Sequence, residues 1–205
     1  MDKFISMKTK KMTAVVAMLW WAVMFGGVAM PLARGSSIDQ SPQAVEKWFE
    51  ELPHAKEKLT KLHFYLHDNI TAQNPTAIQV AQANITSKSP TLFGATFVLE
   101  DPLTLGPDPS SKIIGHAQGM YSSVSKEETS LIQILNLVFT HGKFKGSTLS
   151  LLGSDPILHQ YRELPILGGS GVFRLARGIA TAQTYTSNAT TLNAIAEYHV
   201  LVIHC

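Results

Sequence analysis

The sequence predicts an all-β domain of eight short strands, on three observations. Beyond residue 58, runs of alternating apolar and polar residues recur between clusters of Gly, Pro, Asn, Asp and Ser. The single cysteine, Cys205, is the last residue, so no internal disulfide can staple the chain and a hydrophobic core must hold it. Residues 36–205, 170 in all, are enough for such a core and suit one domain. Eight strands of this kind suit a closed barrel or a sandwich, and closure removes exposed sheet edges.

Residues 1–35 stand apart from that domain. Lys3, Lys8, Lys10 and Lys11 precede the apolar run "TAVVAMLWWAVMFGGVAM", and the small residues Ala29, Ala33 and Gly35 follow. A basic start, an apolar middle and a small-residue exit make a secretory signal peptide. The run is close to the ~18–20 residues of a membrane span, so an uncleaved signal anchor is the competing reading. Nothing later in the chain is apolar enough to span a membrane. The full chain has 17 basic and 15 acidic side chains; the segment removes five and one, leaving 12 against 14, a net charge of −2. With no basic stripe left, nucleic-acid binding has no electrostatic support.

Residues 36–58 read as a polar arm with a short helical stripe at Val45, Trp48, Phe49 and Leu52. The domain follows at 59–205. "TKLHFYLHDNI" puts Leu62, Phe64 and Leu66 on one face and His63, Tyr65 and His67 on the other. Further strands are expected at "TAIQVAQANI", "FGATFVLED", "KIIGHAQGMYSSVS", "SLIQILNLVFTHG" and "GSTLSLLGS". The last two are "GVFRLARGIATAQTYT" and "TLNAIAEYHVLVIH". "THGKFKG" reads as a hairpin turn, and "EDPLTLGPDPSSK" as a proline-rich loop, because proline cannot donate to a ladder. The glycines of "GGSG" point to tight backbone turning, since no P-loop Lys-Ser/Thr or helix follows them.

Four residues are candidates for chemistry. Asp68 and Asp155 stand at strand ends, where Asp often caps a turn. Two such acids can also meet at one mouth of a barrel, perturb each other's ionisation and supply a proton near neutral pH. Tyr121 reads either as a packed strand residue or as a hydroxyl aimed at a phenolic ligand. Arg162 reads as a surface partner of Glu163 or Asp155, or as a guanidinium that organises a buried carboxylate. His63 and His67 have metal-ligand spacing only on a helix, and no third clustered ligand is visible, so no metal site is expected. No G-x-S-x-G nucleophile motif occurs. Asn69-Ile-Thr, Asn84-Ile-Thr and Asn188-Ala-Thr are N-glycosylation sequons.

Taken in order, "KLHFYLHDN", "FGATFVLEDPLT", "IGHAQGMY", "GSDPI" with the later arginine, "LGGSGVFRLARGIA" and the apolar last strand resemble the dirigent protein family of plants. The likeness covers nearly all of residues 59–205. The leader "WFEELPHAKEKLTKLHFY" is most similar to the branch that includes pterocarpan synthases. The resemblance implies an eight-stranded antiparallel β-barrel of the dirigent and allene-oxide-cyclase type. It also implies a homotrimer with a pocket in each barrel, while the signal peptide implies secretion to the apoplast or cell wall. No cofactor is implied, because a separate oxidase or laccase makes the phenoxy radicals and the barrel directs their coupling into lignans. The substrates implied are small phenols such as coniferyl alcohol.

The family's site falls on Asp68, Tyr121, Asp155 and Arg162, with Asp155 as proton donor to a quinone methide and Arg162 organising it. Two departures bear on the substrate. Ser123 stands where lignan-forming members often carry a second aromatic residue, and Val172 where many carry an acid. The competing readings are a pterocarpan-synthase-like dehydratase of an isoflavanol and a simple binding barrel.

Overall fold

A computed structural model describes residues 38–205. The signal peptide expected at residues 1–35 lies outside the described residues. The arm forms one helix, α1 (Pro42–Glu51). Ser41 caps it, its side chain accepting from the Ala44 amide at 3.3 Å, and Pro42 follows at a position where its missing amide costs nothing. No residue of α1 is buried. The arm is held at its entry by Arg174, which donates to the Asp39 carbonyl at 2.7 Å and lies 5.7 Å from the Trp48 ring.

Nine strands follow: β1 (Lys58–Asp68), β2 (Ala77–Ala81), β3 (Thr96–Thr104), β4 (Ile113–Ser123) and β5 (Ser130–Phe139), then β6 (Thr148–Pro156), β7 (Arg162–Ser170), β8 (Arg177–Ser187) and β9 (Ala194–His204). They form one antiparallel sheet in the order β1-β9-β8-β7-β6-β5-β4-β3-β2. A short β1–β3 pairing, Tyr65 with Thr104 and Leu66 with Leu103, closes eight of them into a barrel. β2 is the extra strand and pairs only with β3.

The eight barrel strands are not the eight expected from sequence. The run at 76–85 supplies β2, outside the closed circuit. Residues 162–170, "RELPILGGS", form the barrel strand β7, which Pro165 and two glycines had disguised as a turn. Leu164 and Ile166 nevertheless point inward at period two, and both are buried. Pro165 is accommodated because Gly153 lies beside it: a Cβ there would sit 3.1 Å from the proline Cδ. The expected proline-rich loop also starts later, since β3 runs through Pro102 to Thr104. Glu100 donates its amide to the Thr76 carbonyl, on the side away from β4. Pro102, two residues on, turns its nitrogen the same way, into the gap between the β2 and β1 pairings, so no ladder bond is lost. Of "GGSG", only the last residue, Gly171, makes the expected turn, at φ +65, while Gly168 and Gly169 stay in β7.

Inward side chains divide the barrel along its axis. At the end carrying the 140–147 and 171–176 turns, Leu103, Leu137, Leu149, Phe139, Phe173, Val200 and Val202 fill the interior. Each such side chain contributes about 1.5–3 kcal/mol through burial. Toward the other end, small inward residues such as Ala95, Ala194 and Ala196 leave space. Among the described residues, no helix is long and apolar enough to cross a membrane.

Candidate functional site

That space is a cavity of about 670 Å³, open at one end of the barrel. Phe97, Leu99, Leu131, Leu135 and Ala196 give it apolar walls, and two polar groups interrupt them. All four residues singled out in the sequence (Asp68, Tyr121, Asp155 and Arg162) line it.

The first polar group straddles the closing seam. Carrying the register of Leu66 and Leu103 two residues further places Asp68 opposite Asp101 on the inward face. Tyr121, stacked on Phe97 at 5.0 Å, donates its hydroxyl to Asp68 Oδ2 at 3.0 Å. Oδ1 of Asp68 and both oxygens of Asp101 are buried without any hydrogen-bond partner. Burial in apolar surroundings pushes the Asp68 carboxyl up to about 6, against the opposing hydrogen bond from Tyr121. Burial, with the neighbouring Asp68 charge second, pushes Asp101 up to about 8. Thr76 opposes that rise only weakly, because its hydroxyl is committed to the His67 carbonyl at 3.3 Å. Burial and the Asp68 charge raise the Tyr121 phenol as well, so Tyr121 acts as a neutral donor.

The second polar group straddles the β6–β7 hairpin. Extending the Leu151–Ile166 register by four residues places Asp155 opposite Arg162, which explains their seven-residue spacing. Arg162 Nε donates to Asp155 Oδ1 at 2.7 Å, with the two side chains 3% and 2% exposed. Gln133 Nε2 donates to the other oxygen, Oδ2, and Arg162 Nη1 donates to Thr184 Oγ1 at 3.0 Å. Tyr198, fully buried and stacked on Phe64 at 5.5 Å, reaches Gln133 Oε1 at 3.4 Å. Both oxygens of Asp155 thus accept from donors. These contacts fix the carboxyl in place beside the guanidinium.

Sequence reasoning missed Asp101, Gln133 and Tyr198. Each sits at period two with inward apolar residues: Phe97, Leu99 and Asp101; Leu131, Gln133 and Leu135; Ala196, Tyr198 and Val200. A polar residue in step with an apolar face was the available signal. Of the three sequons, Asn84 and Asn188 are exposed and Asn69 is half-buried.

The family described as Dirigent-like protein matches residues 59–203. This chain belongs to the dirigent family. It is 45% identical over 177 residues to dirigent protein 23 of Arabidopsis thaliana, covering 85% of this chain and 91% of that one. It is 44% identical to pterocarpan synthase 1 of Glycyrrhiza echinata, covering 73% and 80%. The solved structure of a pterocarpan synthase dirigent protein superposes with a TM-score of 0.70 at 44% identity, over 74% of this chain and 87% of that one. Within this dirigent barrel, Ser123 lines the cavity and donates to the Thr91 carbonyl at 2.7 Å. Val172 packs against the hydrophobic core and does not line the cavity. Ser123 is therefore the departure that changes cavity shape.

Both seam acids hold their protons above the ordinary aspartate value of 3.8, so the folded barrel binds protons that the unfolded chain releases. Their stabilising contribution is complete below that value and is lost as pH rises through about 6 and about 8. Calorimetric melting temperature is expected to fall from about pH 5 to about pH 9. Each acid loses roughly 1.4 kcal/mol of stabilisation per pH unit between its ordinary and its raised value. In Asp101→Asn most of that fall should disappear. An equal fall in the variant would contradict the assignment.

Proposed function

We propose that this dirigent barrel binds phenol-derived quinone methides and fixes the stereochemistry of the bond they form, protonating them from the Asp68–Asp101 pair. The observation that carries the proposal is the pair itself: two carboxyls facing each other in an apolar cavity, three of their four oxygens without a partner. Burial and mutual repulsion keep a proton there near neutral pH, the condition for a general acid. One carboxylic acid gives its proton to the quinone methide oxygen as a nucleophilic hydroxyl attacks the methide carbon. The hydroxyl's own proton returns to the pair, so the step is a net isomerisation. Asp155 and Arg162 supply a fixed charge pair that orients the phenol's polar end, and Tyr121 holds Asp68 in place.

The source of the quinone methide that we propose is coupling of two phenoxy radicals from a monolignol-type phenol such as coniferyl alcohol, made by a separate oxidase or laccase. A specific observation supports a second reading. A protonated carboxyl is what expulsion of water needs, and pterocarpan synthases stand among the similar proteins. There the acid protonates the leaving hydroxyl of an isoflavanol, water departs as the ring phenol loses its proton, and a second phenol closes the ring. Incubation with coniferyl alcohol plus laccase, and separately with an isoflavanol alone, followed by chiral chromatography, separates the readings. Enantiomeric excess in the first arm supports coupling, and turnover in the second supports dehydration. Failure of both arms would overturn the proposal.

We further propose secretion with a homotrimeric assembly. On the outer face, Ile78, Val98, Met120, Ile134 and Leu152 stand directly opposite one another across β2 to β6. A continuous apolar ladder of that kind suits burial against other copies. Light scattering under reducing conditions should give three times the chain mass, and a stable monomer would contradict it.

A further inference from the structure

A separate cluster lies on the outer face of β1 and β9. His63 pairs in register with His199, and Glu197, two residues before His199 on the same face, stands opposite Tyr65. The sequence pairs His63 with His67, but His67 is buried elsewhere against Thr104 at 2.7 Å. The two cross-strand imidazoles instead stack at 4.5 Å with an interplanar angle of 18°. Both Nε2 atoms turn toward one oxygen, Glu197 Oε1, at 2.6 Å from His63 and 3.4 Å from His199. Among the described residues, one ligand atom from each of the three lies within 4.8 Å of the others.

We propose that His63, His199 and Glu197 form a binding site for a late first-row divalent metal ion. Two imidazole nitrogens and a carboxylate oxygen bind such ions at about 2.0–2.2 Å, so donor atoms already this close need only small rotations to converge. The ligand set favours zinc, copper or nickel over magnesium and calcium, which take all-oxygen sites. On binding, the metal takes the place of the Nε2 hydrogen, and each ring coordinates as a neutral imidazole with its proton on Nδ1.

Glu197 is already oriented for the task. Its Oε1 accepts from the Tyr65 hydroxyl at 3.1 Å and its Oε2 from Gln183 Nε2. Its side chain is 14% exposed, whereas the His63 and His199 side chains are 45% and 56% exposed, so the ion can enter from solvent. Three protein ligands leave at least one position for water or another ligand. The site faces away from Phe64 and Tyr198, which point into the barrel, and none of its three ligands lines the cavity. Its effect is to tie β1 to β9 beside the closing seam.

Calorimetric titration of the tag-free protein with zinc chloride is expected to show one ion per chain, with no heat from magnesium. Zinc at about one hundred times its Kd should raise the melting temperature by roughly 5–10 °C. His63→Ala/His199→Ala should lose the ion, as should the more conservative His199→Gln, with unchanged circular dichroism. Gln183→Met, which releases Glu197, should weaken binding about 10- to 100-fold. No zinc binding by the wild type, or equal binding by wild type and the double variant, would overturn the assignment.

Discussion

Arg162→Ala is expected to lower the unfolding free energy by about 3–5 kcal/mol, because it leaves the Asp155 carboxylate buried without its counter-charge. Asp155 is 1% exposed, and after the change only the Gln133 amide would still donate to it. The exposed pair between Arg177 and Glu57 is a control at similar distance, 2.6 Å, with side chains 62% and 52% exposed. Arg177→Ala should cost no more than about 1 kcal/mol. Replacing both buried partners by apolar residues, as in Asp155→Leu/Arg162→Met, should recover most of the loss while removing the charge pair from the cavity. Urea unfolding of the four proteins measures these differences. Equal costs for Arg162→Ala and Arg177→Ala would show that the buried pair is solvated.

Asp101→Asn is expected to slow product formation by about 10²- to 10⁴-fold, the range for loss of a positioned general acid. The amide keeps the shape of the side chain and cannot give up a carboxylic proton. Because Asp101 makes no hydrogen bond, the substitution should leave the fold intact and raise its stability at alkaline pH. Asp68→Asn should reduce the rate as well, but it also alters the acceptor that holds the Tyr121 hydroxyl. It is therefore expected to lower enantiomeric excess alongside rate, whereas Asp101→Asn spares the excess. Chiral chromatography and rate on the same samples tell the two apart.

Period two made β1 legible: Phe64 and Leu66 face inward, as the alternation requires. The same rule held along β5 and β9. It failed for β7, where Pro165 and the glycine pair read as turn residues, although they lie within the strand and the Gly153 neighbour makes room for the proline. Asp68, Tyr121, Asp155 and Arg162 were legible as candidates from the motifs that carry them, and the fold brings all four to one cavity. Asp101 was not legible, because the proline that follows it read as the start of a loop. Its partnership with Asp68 depends on the β1–β3 closure, a contact between strands far apart in sequence. His199 and Glu197 were missed beside His63 for the same reason: a cross-strand cluster exists only once register is known.

Proton retention by the seam acids near neutral pH is tested most directly by carbon-13 NMR of protein labelled at the aspartate carboxyls. Two signals should titrate far above the rest, at about 6 for Asp68 and about 8 for Asp101. Asp101→Asn should remove the upper one and leave the lower one near its place, because burial raises Asp68 and Asp101 is still a neutral acid when Asp68 titrates. If every aspartate carboxyl were instead fully ionised by about pH 5, near the ordinary range, the pair could not serve as the barrel's acid.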